Sequence, residues 1–359
     1  MLILFSEQIK KGGQAMKRGR FTFWMSVFLL FVGTSFFVPP LGEAQAKVYE
    51  WRFQTNKTPA SPFFNDEKWW VDWVNNNSNG RLKITLFPAG QIVKVDDYIN
   101  ALRANTVQMA TTWGGYYTGY IPEGGLQAGL PMIFRSRVDV QNLFYDYGLL
   151  DPIREAFAEK GVHFYSINSL GPITLWAKRP IRTLADFKGF KVRASGDVAK
   201  VFGAIGAGAV MIPHEESFTA LQLGTIGAYT APLGHYKDLK HYEVCKYVMT
   251  PAIQGASIDA WSISRRALDE LPDDLRAYVL SQAPVLNWIT TWRSELIDAE
   301  VFSSMPKWNA QLVPMADDLQ KAITAESMKL LDSYSPKSAR LAKMVETIKR
   351  FMKDKGYLP

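Results

Sequence analysis

The stretch Leu184–Gly196 reads LADFKGFKVRASG. Leu184 to Lys188 has the spacing of a helical turn, Gly189 ends it, and Phe190 and Val192 alternate with Lys191 and Arg193 as in a strand. Ala194, Ser195 and Gly196 then open the next helix. A strand feeding a helix in this way is α/β grammar, and it puts Arg193 at a strand end, where open α/β sheets bind ligands. A guanidinium stays protonated and presents a planar fork of donors suited to a carboxylate. Charged residues are mostly exposed, so a surface ion pair is the competing reading of Arg193, and local sequence leaves both open.

The pattern repeats outward. Strand Phe190–Arg193 is followed by helix Asp197–Ile205, strand Ala209–Ile212, helix Glu216–Leu223 and strand Ile226–Tyr229. A similar unit precedes it: strand Val48–Phe53, helix Phe64–Val74 ended by the turn cluster Asn75–Gly80, strand Leu82–Phe87, helix Val95–Ala104 and strand Val107–Thr111. Strand and helix alternation of this kind builds layered α/β domains. Two such units imply two lobes with a cleft between them. Leu271-Pro272-Asp273-Asp274-Leu275 has the proline and acidic first turn of a helix start. From there a helical pattern runs, with breaks, to Lys355.

The chain has 359 residues, 47% hydrophobic and 21% charged, an ordinary globular composition long enough for two domains. Lys17, Arg18 and Arg20 precede the apolar run Phe21–Val38, and Ala44-Gln45-Ala46 supplies a small-x-small cleavage pattern. The run is long enough that an uncleaved anchor is the alternative, but Pro39, Pro40 and the small-x-small pattern favour cleavage, so we read residues 1–46 as a secretory signal peptide cleaved after Ala46, with Met16 as the expected true start. Cys245 is the only cysteine, so no disulfide forms within the chain, which fits export to a bacterial periplasm. The formal charge is +7; five basic residues and two glutamates in the first 46 leave +4 beyond them. That is too mild to argue for nucleic acid.

Several candidate chemistries weaken on inspection. Gly203, Gly206 and Gly208 lie after a helix and before a strand, the reverse of a dinucleotide loop, and read as a helix end and turn. His235 and His241 lack partners at zinc spacing, and no G-x-S-x-G accompanies the four histidines, His163, His214, His235 and His241. Trp113, Tyr116, Tyr117 and Tyr120 cluster in TWGGYYTGY directly after a strand. They read either as the aromatic wall of a pocket or as core packing.

Taken in order, NGRLKITLFPAGQ (Asn79–Gln91), LPMIF (Leu130–Phe134), LADFKGFKVRASG, ESFTALQLGTIGA (Glu216–Ala228), HYEVCKYV (His241–Val248) and the LPDDL helix start resemble the solute-binding proteins of tripartite ATP-independent periplasmic (TRAP) transporters. The resemblance covers most of the chain beyond Lys47. It implies a two-lobed periplasmic-binding-protein fold of the type II kind, with a cleft between lobes, hinge strands and long C-terminal helices. It also implies a first lobe of 47–172 with about 258–299, and a second of 173–257 with about 300–359.

The resemblance further implies that Arg193 clamps a substrate carboxylate, that His214 is a wall of the site, and that Trp113 and Tyr116 come from the aromatic loop. Asn56 would stand at the end of the first strand. This chain departs from the family pattern in three places. It has Pro172-Ile173 where many relatives carry a second arginine. It has Gly227-Ala228-Tyr229-Thr230-Ala231-Pro232 where many carry D-G-A-E-N-P. Thr230 stands where the 2-oxo-acid and lactate binders use a glutamate to hold a metal ion, so no metal and no other cofactor is expected. Ala231 leaves room for a bulkier ligand part. The expected ligand is a small organic anion, a monocarboxylate because a second carboxylate would lack a partner, and the expected partner is a membrane permease. Monomer and dimer are both compatible. The rival readings are an enzyme using His214 with Glu215 and Glu216, and a sensory module without a permease.

Overall fold

The computed structural model describes residues 47–212 and 214–358; the signal-peptide reading of residues 1–46 lies outside them. Among the described residues eleven strands form two sheets. The first contains β1 (Tyr49–Thr55), β2 (Leu82–Phe87), β3 (Met109–Trp113), β4 (Val162–Ser169) and β10 (Ile258–Ser264), in the order β2-β1-β3-β10-β4. The second contains β5 (Ile173–Ala177), β6 (Lys191–Arg193), β7 (Gly208–Val210), β8 (Ala228–Pro232), β9 (Tyr247–Thr250) and β11 (Gln311–Pro314), in the order β11-β9-β5-β8-β6-β7. Each sheet is mixed. β1 pairs parallel to β2 and β3 while β10 runs antiparallel to β3 and β4; β6 pairs parallel to β7 and β8 while β5 runs antiparallel to β8 and β9.

The chain passes between the sheets at Leu170–Pro172 and again between Thr250 and Ile258, and these two passages are joined by an isolated bridge between Ile173 and Gln254. The helix Asp273–Ser304 runs alongside both sheets. Near its start, Tyr165 of β4 donates to the Val279 carbonyl at 2.7 Å. Near its end, Glu300 pairs with Lys237, which follows β8. No helix among the described residues is long and apolar enough to cross a membrane.

The helix Ala339–Asp354, expected with the second lobe, buries Leu341, Met344, Val345, Ile348, Phe351 and Met352 in the first sheet's core, with Tyr98, Leu102 and Phe144. Its neighbour Asp317–Asp332 sends Leu319 and Ile323 into the second core. The stripe that recurs every three or four residues states that a helix buries one face. It does not state against which sheet.

Candidate functional site

The segment around Arg193 folds for local reasons. Thr183 and Asp186 cap the turn Leu184–Phe187 reciprocally, the Asp186 carboxylate accepting from the Thr183 N–H at 2.9 Å. Gly189 then takes φ +68°, a left-handed conformation natural to glycine. Val192 is buried, Arg193 ends β6, and Gly196, at φ +55°, begins the helix Gly196–Ala204. β6 is an inner strand, between β8 and β7, so Arg193 is only 2% exposed.

Its guanidinium is held from behind. Nε donates to the Ile212 carbonyl at 3.1 Å and an Nη to the Thr230 carbonyl at 3.2 Å. The group lies 4.9 Å from the centroid of the Tyr229 ring, within cation–π range. No carboxylate among the described residues pairs with it. A guanidinium has five N–H donors, so those not spent on the two carbonyls are left to the cavity that Arg193 lines.

That cavity, about 820 Å³, lies between the two sheets. All seven residues expected at the site border it: Asn56, Trp113 and Tyr116 from the first lobe, and Arg193, His214, Thr230 and Ala231 from the second. Thr230 is turned inward, its hydroxyl donating to the Arg193 carbonyl at 3.2 Å. Trp113 and Tyr116 meet edge to face, with ring centroids 5.8 Å apart. Glu216 is exposed and does not border the cavity, and the Glu215 side chain lies outside the described residues.

Behind Arg193 stands a neutral polar network. His214 Nδ1 pairs with the Tyr229 hydroxyl. Burial, reinforced by His235, Arg193 and His241, holds the His214 pKa well below its ordinary value. Burial pushes Tyr229 up to about 12 and His241 down to about 4. The Trp176 indole, which can only donate, gives its N–H to His241 Nδ1 at 3.0 Å, so the His241 proton sits on Nε2, 2.9 Å from Ser217 Oγ. Arg193 is thus flanked by imidazoles that carry no charge at neutral pH.

The site also contains residues that the sequence reading did not pick out. Lys57 follows Asn56, borders the cavity, and donates to Asn56 Oδ1 at 3.1 Å and to Glu67 Oε1 and Asp259 Oδ2 at 2.8 Å each. Burial alone would lower the Lys57 pKa and is the largest single influence. The two buried carboxylates together outweigh it, and Lys57 stays charged. His235, read from sequence only as a poor zinc ligand, pairs with Asp238 at 3.0 Å and lies edge-on to Phe63 of the first lobe, 5.6 Å between centroids. One signal was present in the sequence. Asp259 is a lone charge in the strand IDAWSIS, and a charge in a strand buried on both faces requires a partner.

Residues 53–336 match the family model described as bacterial extracellular solute-binding protein, family 7 (DctP). The chain belongs to that family. Membership places it among extracytoplasmic solute-binding receptors and not among enzymes. A monocarboxylate 2-oxoacid-binding periplasmic protein of Nostoc sp. is 24% identical over 308 residues, 84% of each chain. A TRAP periplasmic solute-binding protein of Colwellia psychrerythraea, solved with bound calcium and pyruvate, shares the fold at TM-score 0.79 and 20% identity, covering 87% of this chain and 96% of that one. A Bordetella pertussis extracytoplasmic solute receptor binding pyroglutamic acid shares it at TM-score 0.76 and 17% identity, covering 84% and 99%.

Among the described residues no three His, Cys, Asp or Glu side chains are grouped to hold a metal ion, and Thr230, whose hydroxyl donates to the Arg193 carbonyl, brings no carboxylate to the cavity.

Proposed function

We propose that this protein captures a small monocarboxylate between its lobes and presents it to a TRAP permease. The observation that carries the reading is Arg193: a buried guanidinium, braced from behind by two carbonyls, with no carboxylate partner among the described residues and donors left toward a large cavity. Burying an unpaired cation is costly, and an incoming carboxylate removes that cost while forming charge-assisted hydrogen bonds. Lys57 offers no second anchor, because its three N–H groups already meet three acceptors. The rest of the ligand meets Phe63, Trp113, Leu170, Val198 and Ala231, an apolar surface suited to an aliphatic or aromatic body.

Capture works by closing the two lobes, 47–172 with 258–299 and 173–257 with 300–330, Tyr334 and the helix Ala339–Asp354 moving with the first. A ligand shifts that equilibrium only by touching both lobes, and the cavity takes walls from each. Residues 1–46 direct export and are removed after Ala46, so N-terminal sequencing of the periplasmic protein should begin at Lys47.

The deciding experiment is a thermal-shift screen of the exported protein against aliphatic, aromatic, 2-oxo and dicarboxylic acids, with Arg193→Ala in parallel. Ligand at about 100 times Kd stabilises by about 2.7 kcal/mol, which raises melting by several degrees. A shift confined to monocarboxylates and lost in Arg193→Ala supports the reading. No shift with any acid, or the same shift in the variant, refutes it.

A further inference from the structure

We propose that the carboxylate captured at Arg193 belongs to a molecule that also carries a hydrogen-bond donor, a hydroxyl, amide N–H or ammonium, and that Asp259 on the first lobe selects for it. This rests on the reading of Arg193 as the carboxylate anchor and adds the chemistry of the rest of the ligand. Asp259 is 2% exposed, stands in β10 and borders the cavity. Its Oδ2 accepts from Lys57. Its Oδ1 has no partner among the described residues, and it is not among the buried side-chain atoms sealed off without one, so it opens onto the cavity.

The surroundings of Asp259 make this wall an acceptor. One ammonium, Lys57, faces two buried carboxylates, Glu67 and Asp259, so the cluster has no spare cation to offer. Burial raises the Glu67 pKa against the pull of Lys57, yet Asp259 Oδ1 accepts hydrogen bonds whichever state Glu67 takes. When ligand displaces water from the cleft, that oxygen must find a donor or lose its hydrogen bond. A diacid would set a second carboxylate against it, like charge on like. Asn56 has its Oδ1 committed to Lys57 and keeps its amide N–H groups, and it borders the same cavity. A hydroxyl, which both donates and accepts, satisfies Asp259 and Asn56 together.

The test is calorimetric titration of the exported protein with hexanoate, adipate, 2-, 4- and 6-hydroxyhexanoate and the corresponding aminohexanoates, in the native form and in Asp259→Asn and Arg193→Ala. At one or more positions the donor-bearing acid should bind at least about tenfold tighter than both hexanoate and adipate, since a site built to hydrogen-bond a group rejects the analogue lacking it. Asp259→Asn keeps a carbonyl oxygen for Lys57 and presents an N–H in place of the free oxygen, so the order should tilt toward adipate. Equal binding of hexanoate and every donor-bearing acid overturns the proposal, and so does a donor preference that survives Asp259→Asn. If those acids still depend on Arg193, the carboxylate reading stands without it. If no acid binds, or binding survives Arg193→Ala, both fall. Should Asp259→Asn fail to fold by circular dichroism, the native series alone decides.

Discussion

Tyr334, packed in the core of the first lobe, donates its hydroxyl to Asp197 Oδ2 at 2.7 Å, and Asp197 is the second residue of the helix that follows Arg193. The approach depends on Gly125, where a Cβ would sit 2.1 Å from the Tyr334 oxygen. A bond across the lobes is thereby attached four residues from the carboxylate anchor. Tyr334 and Asp197 are both buried. The proposed carboxylate anchor and this contact with the first core thus share one short segment.

Tyr334→Phe should therefore weaken closure without touching the ligand. A hydrogen bond to a charged acceptor contributes about 1.5 kcal/mol or somewhat more, so affinity for the acid found in the screen should fall roughly tenfold. Small-angle scattering should show a less complete contraction at equal saturation. Lower thermal stability with unchanged affinity and contraction would make the bond a structural contact only.

Gly196 is the second closure point. A Cβ there would lie 2.5 Å from Cη2 of Trp113, which belongs to the other lobe, and φ is +55°. Gly196→Ala meets both a steric block and backbone strain of order 1–3 kcal/mol. Its acid affinity should fall by about tenfold or more. Trp113→Leu in the same chain should recover part of the loss, because it relieves the clash and leaves the strain. Calorimetry of the double variant checks this, and no recovery would mean that the strain dominates.

Much of this arrangement was legible in LADFKGFKVRASG and its repeats, because strand and helix periodicity are local and a guanidinium at a strand end is chemically conspicuous. The residues expected around Arg193 do border one cavity with it. The Lys57–Asp259 pair was not legible, since 202 positions separate its members and the insertion of β10 between β3 and β4 is what sets Asp259 beside the first strands. Strand ends also slipped. Ala228–Pro232 lies further along than the expected Ile226–Tyr229, which places Thr230 and Ala231 inside β8. The apolar run Ile226 to Tyr229 mixes a turn into the strand with the strand itself, and hydrophobicity does not distinguish them.

Arg193→Lys separates charge from geometry. Lysine keeps the positive charge and loses the planar fork, the bracing at the Ile212 and Thr230 carbonyls and the contact with Tyr229. Truncating one partner of a buried charged hydrogen-bonded pair costs about 2–5 kcal/mol. Arg193→Lys should fall near the lower end, about 30-fold weaker in Kd, and Arg193→Ala near the upper. Isothermal titration with the same acid measures both. Equal losses in the two would mean that the fork carries the interaction and the bare charge adds nothing.

His241 makes the folded state sensitive to acid. Its Nδ1 must stay unprotonated to accept from Trp176, and burial lowers its pKa to about 4 from 6.5. The unfolded chain therefore binds a proton near pH 6.5 that the folded chain takes up only near 4. Stability from this group is fully present above pH 6.5, falls as pH drops between those values, and is flat below. At 1.36 kcal/mol per pKa unit the loss is of order 3 kcal/mol. His163, also lowered to about 4 by burial, adds a similar slope from the first lobe. Glutamine at position 241 can accept from Trp176 and donate to Ser217 without titrating. His241→Gln should thus show a shallower loss of urea midpoint between pH 7 and pH 4 than the native protein, and an unchanged slope would place the acid sensitivity elsewhere.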